Sequence, residues 1–177
     1  MTLEATLPRA NIALIVDVET DNRKRSAQEL RADLKRGGAT LGPTAFLFRR
    51  LGRVVFEGRD TGPGVDDIMD AALDAGARDL DADEHGDVVV WTEPSATAAV
   101  VGAVAAPFGL GVLRSDIVWS PVGDTSVLLG DEEAAVELGE LLERLRTYPE
   151  VQGLYANVTR GAVSDLAWAK IEDNLDL

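Results

Sequence analysis

The 177-residue chain has no cysteine, a single histidine and only nine aromatic residues. The first absence excludes disulfides, thiolate nucleophiles and cysteine-ligated metals. The second excludes a multi-histidine metal site. His85 stands in Asp-Glu-His-Gly-Asp, a turn-like setting that reads as an exposed loop. With so few aromatics, Ala, Val and Leu must fill the core. No run of about 18 apolar residues occurs, so no membrane-spanning helix is expected. Residues 1–10 lack the basic start and apolar run of a signal or transit peptide. No phosphate-binding or dinucleotide glycine fingerprint is present, nor a Gly-x-Ser-x-Gly elbow, nor a nucleophile with its base. A non-enzymatic protein without cofactor or resident metal is expected.

What the chain has in abundance is charge, unevenly spread. Its formal net charge is -14, yet ten Lys and Arg face four acids between Asp21 and Arg59. That segment is near +6, so the other residues carry about -20. From Asp60 to Glu93 eleven acids accompany one Arg. An acidic chain that gathers its positive charge in one segment offers that segment to an anionic partner. The candidate nucleic-acid contact is Asn22, Arg23, Lys24 and Arg25 at a helix start, with Arg49, Arg50 and Arg53 flanking a hairpin. Helix-start N–H groups attract anions, and Arg grips phosphate with two hydrogen bonds. The competing readings are a solvated turn paired with carboxylates and charge protecting an edge strand. Lys35 and Arg36 suit a helix end through the dipole alone. The acidic stretch Asp79–Asp87 lacks the ordered ligand positions of a calcium loop and reads as solvated. Asp66, Asp67, Asp70 and Asp74 read as the polar face of a helix.

Periodicity supplies the elements. Ile12, Leu14, Val16 and Val18 alternate, which predicts a strand. Ser26 and Glu29 have capping-box spacing, predicting a helix from Ser26 that ends at Gly37-Gly38. Thr44 to Arg50 reads as a strand whose Phe46 and Phe48 invite comparison with aromatic stacking platforms on RNA-binding sheets but read as core from their interior-looking context. Leu51-Gly52 reads as a hairpin turn, and Arg53 to Glu57 as the returning strand. After Thr61–Gly64 follow a helix from Val65 to Gly76, strands at Asp79–Asp83 and Val88–Thr92, a helix capped by Ser95, and a strand at Leu113–Trp119. Trp91 and Trp119 read as core or domain-interface residues. Ser126–Leu129 is a short strand or linker. Asp131 caps the clearest helix, whose apolar stripe is Ala134, Leu138, Leu141, Leu142 and Leu145. Gly153–Val158 is the last strand. Leu166, Trp168, Ile171 and Leu175 suggest a short amphipathic helix in the tail, lying on a neighbouring surface of this molecule or of a partner.

Joined together, the outer pieces read β-α-β-β-α-β, a split ferredoxin-like plait. The expected class is α+β. A discontinuous domain would comprise residues 1–62 and 123–177. A second, acidic α/β domain, 63–122, would be inserted between the plait's third strand and second helix. Two consecutive domains are the alternative.

The stretches Ala13–Ser26, Gly37–Gly42 and Phe46–Phe56, together with Asp66–Ala77, Val88–Pro94 and Glu150–Asn157, resemble the YebC/PmpR family over about residues 11–158. The resemblance implies a role in gene expression. The family includes bacterial proteins described as transcriptional regulators and the mitochondrial translational activator of cytochrome c oxidase subunit I. Leu7-Pro8 and Pro43–Phe46 look more like the mitochondrial members, which implies translation activation in the mitochondrial matrix, with the bacterial cytoplasm as the alternative. Implied partners are the ribosome, messenger or ribosomal RNA. The alternatives are promoter DNA, or a basic protein docked on the acidic inserted domain. Nothing in the sequence matches the family's basic N-terminal domain with its Gly-His-Ser-Lys-Trp motif. A shortened chain or a variant without that domain is expected, and a targeting signal would be missing with it.

Overall fold

A computed structural model describes residues 1–176. The elements run β1 (Thr2–Leu7), β2 (Ile12–Val18), α1 (Arg23–Arg36), β3 (Thr40–Leu41), β4 (Phe48–Phe56), α2 (Val65–Asp74), β5 (Ala77–Ala82) and β6 (Val88–Thr92). They continue with α3 (Thr97–Phe108), β7 (Val112–Pro121), β8 (Val127–Leu129), α4 (Glu132–Arg146), β9 (Val151–Ala156), β10 (Val158–Arg160) and α5 (Asp165–Glu172). The class is α+β. The chain divides into a discontinuous unit, residues 1–49 with 119 onward, and an inserted unit, 50–118. These boundaries replace the expected ones at 62 and 123. The first boundary moves because Phe48–Phe56 is one continuous strand, whose residues from Arg50 onward belong to the inserted unit, and not half of a hairpin. Gly52 stands mid-strand opposite Thr92. A Cβ there would lie 2.3 Å from both Thr92 Oγ1 and Thr97 Cγ2, so glycine is required for packing and not for turning.

In the discontinuous unit the sheet order is β3-β1-β2-β9, with antiparallel pairing throughout. Arg53–Glu57, expected as the plait's third strand, belongs to the other unit, and the neighbours of β2 here are β9 and β1, the latter pairing from Thr2↔Asp17 to Leu7↔Ile12. The burial of β1 alternates, with Leu3, Ala5 and Leu7 inward. Leu30 and Leu34 of α1 and Leu138, Leu141, Leu142 and Leu145 of α4 close over that face. Each such leucine contributes roughly 1.5–3 kcal/mol by leaving water. The opposite face of β2 is buried as well, at Ala13 and Ile15. Polar partners line it: Asn157 Oδ1 accepts from Ala13 N at 2.7 Å, and Trp119 Nε1 donates to Asp17 Oδ2 at 2.9 Å.

Helix starts follow local chemistry. Asp131 caps α4 by accepting from the N–H of Glu133 and Ala134 at 3.0 and 3.3 Å. The Ala134 bond, more than the guanidinium of Arg9, holds its carboxyl below the usual range. Ser164 caps α5. That helix sets Ala167 and Ile171 into the core of its own unit and leaves Leu166 in solvent.

In the inserted unit the order is β5-β6-β4-β7. Ile68 and Ala72 of α2 and Val100 and Val104 of α3 pack on Val54, Phe56, Val88 and Val90. Gly109, at φ 64°, ends α3 in the left-handed region, and Pro107 lies inside the last turn. Among the described residues no helix is long and apolar enough to cross a membrane, and no three His, Asp or Glu side chains are grouped to hold a metal ion.

Candidate nucleic-acid interface

Helix α1 opens at Arg23, three residues before the Ser26 expected from the capping-box pattern. Asn22 is its cap, accepting from Arg25 N at 3.1 Å. Ser26 is buried, its hydroxyl 2.8 Å from that of Thr20, which in turn accepts from Asn22 N at 3.0 Å. The early start makes Arg23, Lys24 and Arg25 the first helical turn instead of a preceding loop. It also means that the Asn22 side chain already satisfies one of the N–H groups an anion would seek.

The seven predicted residues have different fates. Arg23 and Lys24 are exposed, with no carboxylate partner among the described residues. Arg25 is half-exposed and spans Glu150 at 3.3 Å and Asp21 at 3.5 Å, so its charge is already answered. Arg49 is exposed in the discontinuous unit, again without a carboxylate partner. Arg50 is exposed on β4 and belongs to the inserted unit. Arg53 is withdrawn from the surface. It is 6% exposed, and its Nε and Nη2 donate to Asp116 Oδ1 and Oδ2 at 3.0 and 2.8 Å. A guanidinium held in this bidentate way inside a unit braces β4 against β7 and is not a phosphate contact.

The structure adds two cations that sequence reasoning had set aside or passed over, Arg31 and Lys35. Lys24, Gln28, Arg31 and Lys35 follow one another at intervals of four, three and four residues, which places them on one face of α1. With Ala27 and Ala32 they border a shallow hollow formed by this helix alone. The small alanines leave the three cations standing clear along about 16 Å of helix. No carboxylate pairs with any of them among the described residues. The acids of α1 are elsewhere: Asp33 is buried and accepts the Tyr148 hydroxyl at 2.6 Å, and Glu29 follows the same opposite face. The interval pattern was readable in the sequence. The lack of pairing was not. Arg9, by contrast, is engaged by Asp131, Glu133 and Glu137 at the start of α4, with Glu133 the largest influence raising its pKa.

Phe46 also departs from expectation. It sits on a 3-10 turn, Ala45–Leu47, and is 73% exposed, whereas Phe48 is buried. The turn breaks the alternation that would have put both rings on one face.

Residues 1–158 match the family profile described as TACO1/YebC second and third domain. The chain is 39% identical over 156 residues to a probable transcriptional regulatory protein of Xanthomonas oryzae pv. oryzae (strain MAFF 311018), covering 86% of this chain and 62% of that protein. It is 39% identical over 150 residues to another of that description from Herminiimonas arsenicoxydans, covering 82% and 58%. The crystal structure of a conserved hypothetical protein from Aquifex aeolicus superposes with a TM-score of 0.74 at 26% identity, over 91% of this chain and 65% of that one. The chain thus spans about three fifths of the length of the curated relatives it matches. With the profile covering all but the last 19 residues of a 177-residue sequence, the chain belongs to the TACO1/YebC family.

Proposed function

We propose that this chain is a non-enzymatic gene-expression regulator that acts on translation, docking the basic face of α1 on RNA phosphate of the ribosome or a messenger. The observation carrying the proposal is the ridge of cations with no carboxylate partner among the described residues, Lys24, Arg31 and Lys35 with Arg23 at its head, on a chain of net charge -14. Such a ridge neutralises phosphates without reading bases, so its binding is salt-dependent and tolerant of sequence. Family membership supports the regulatory part of the reading.

Fluorescence anisotropy with a 12-nucleotide single-stranded RNA and a 12-base-pair DNA duplex, each over a salt series, tests it. Reversing Lys24, Arg31 and Lys35 to Glu should weaken RNA binding at least tenfold and flatten the log–log salt slope by about 2. Binding that is insensitive to salt and to the triple reversal would sink the reading. The relatives' description as probable transcriptional regulators favours a second reading, binding of promoter DNA, which a consistent preference for the duplex would support. A protein partner docked on the acidic α2–β5 region would instead be released by charge reversal there. The bacterial sources of both relatives support the bacterial cytoplasm as the compartment over the mitochondrial matrix.

A further inference from the structure

Phe46 is exposed by construction and not by fraying. Its turn is fastened on both sides. Thr44 N and Ala45 N donate to Glu4 Oε2 at 2.6 and 2.7 Å. Leu47 O accepts from Val122 N at 2.9 Å and Thr125 Oγ1 at 3.0 Å. A large aromatic on a pinned backbone presents a flat face to solvent from a fixed position.

Beside the ring lies a groove of about 520 Å³ within the discontinuous unit. Its floor is already satisfied: Asn157 bonds Ala13 N and Thr125 O, each at 2.7 Å, and Thr44 Oγ1 donates to Leu14 O at 3.3 Å. Its rim is different. The side chains of Thr6, Asn11, Asp124 and Ser126 line it with no hydrogen-bond partner among the described residues. This is not an apolar slot for a hydrophobic side chain, and its one charged group repels phosphate. A flat aromatic face beside neutral donors and acceptors and one carboxylate suits a planar heteroaromatic ring with a hydrogen-bonding edge. Arg49, three residues from Phe46, is exposed and lacks a carboxylate partner. Three residues of chain reach at most about 10 Å, which keeps that cation near the phosphate of a nucleotide stacked on Phe46.

We propose that Phe46 is a stacking platform for an unpaired RNA base, with Asp124 accepting from the base's exocyclic amino group and Arg49 countering its phosphate. The inference rests on the RNA-contact reading but uses another element and another force. Stacking is insensitive to salt, whereas the α1 ridge is not. Because a carboxylate accepts from the cytosine amino group and repels the uracil keto oxygen at the same ring position, cytosine is preferred over uracil.

The test is anisotropy with labelled 12-mers of cytidine and of uridine over a salt series. Phe46→Ala should weaken both about 5- to 150-fold with an unchanged salt slope, and Phe46→Trp should restore binding. Asp124→Ala should erase the preference for the cytidine 12-mer. The exposed position of Phe46 leaves the fold intact in both variants, checked by their urea midpoints. Unchanged affinity in Phe46→Ala, or equal weakness in Phe46→Trp, overturns the stacking site while leaving the α1 reading intact. Phe46→Ala that releases a protein partner but not RNA overturns it in favour of a protein-docking groove. No binding of either 12-mer by the unaltered chain at low salt removes both readings together.

Discussion

Removing the carboxylate of Asp116 is the sharpest way to separate a structural arginine from a ligand-binding one. Arg53 is almost fully buried and gives Asp116 two charge-assisted hydrogen bonds, and the Arg114 guanidinium forms an ion pair with the same carboxylate, Nε 3.1 Å from Oδ2. In Asp116→Ala the Arg53 guanidinium stays inside the unit and loses that carboxylate. Breaking a buried pair from one side costs about 3–5 kcal/mol. Asp116 retains a third of its exposure, so some water reaches the site and a loss below that range, about 2–3 kcal/mol, is expected. Replacing both residues, as in Arg53→Met with Asp116→Leu, should cost less than the single change, because no charge is left behind. Urea unfolding followed by tryptophan fluorescence measures these differences. Trp91 lies directly across from Arg53 on β6 and reports on the inserted unit. Amide exchange along β4 and β7 should quicken in the single variant. A loss below about 0.5 kcal/mol, the range of ordinary surface substitutions, would refute the bracing role. So would a double variant weaker than Asp116→Ala.

Gly52→Ala should destabilise the inserted unit by about 1–3 kcal/mol in the same urea assay, since its Cβ meets Thr92 and Thr97 at 2.3 Å; an unchanged midpoint would contradict that packing. The Tyr148 hydroxyl has a raised pKa, first because it donates to Asp33 and then through burial. Its contribution to stability is therefore complete below the ordinary tyrosine pKa of about 10 and is lost as pH rises through the higher folded value. Tyr148→Phe should flatten the alkaline limb of a urea-midpoint profile, and an unaltered limb would exclude the coupling.

Much of the fold could be read from period and punctuation. Asp131, the leucine stripe of α4 and Gly109 mark their elements through local chemistry alone. Failures arose where a local signal had a second meaning. Leu51-Gly52 resembles a turn, but its glycine is demanded by Thr92 and Thr97, forty residues away in sequence. Ser26 and Glu29 have capping-box spacing, yet Ser26 is committed to Thr20 and Asn22 caps instead. Thr2–Leu7 alternates cleanly, but its partner strand follows only a tight loop, in which Asn11 takes φ 53°. In the candidate site, residue type and segment charge pointed to α1, and the structure sets Arg23, Lys24 and Arg25 in its first turn. Which cations lack carboxylates depends on chain segments brought together by folding. Arg25 meets Glu150 across 125 positions and Arg53 meets Asp116 across 63, and no window of sequence contains either pair.

The interrupted unit also fixes an order of events during synthesis. Residues 50–118 are contiguous, so the inserted sheet has all of its strands once β7 has left the exit tunnel. The discontinuous unit is then only half supplied. Its strand β2 waits for β9, which ends at Ala156, and its α1 waits for α4. At roughly 5–20 residues per second the interval lasts a few seconds. Throughout it the nascent chain carries a folded acidic knob behind an open apolar hairpin and the amphipathic α1, whose core leucines still face water. Apolar surface exposed at that stage, and buried in the completed protein, is the kind that invites misfolding and chaperone binding.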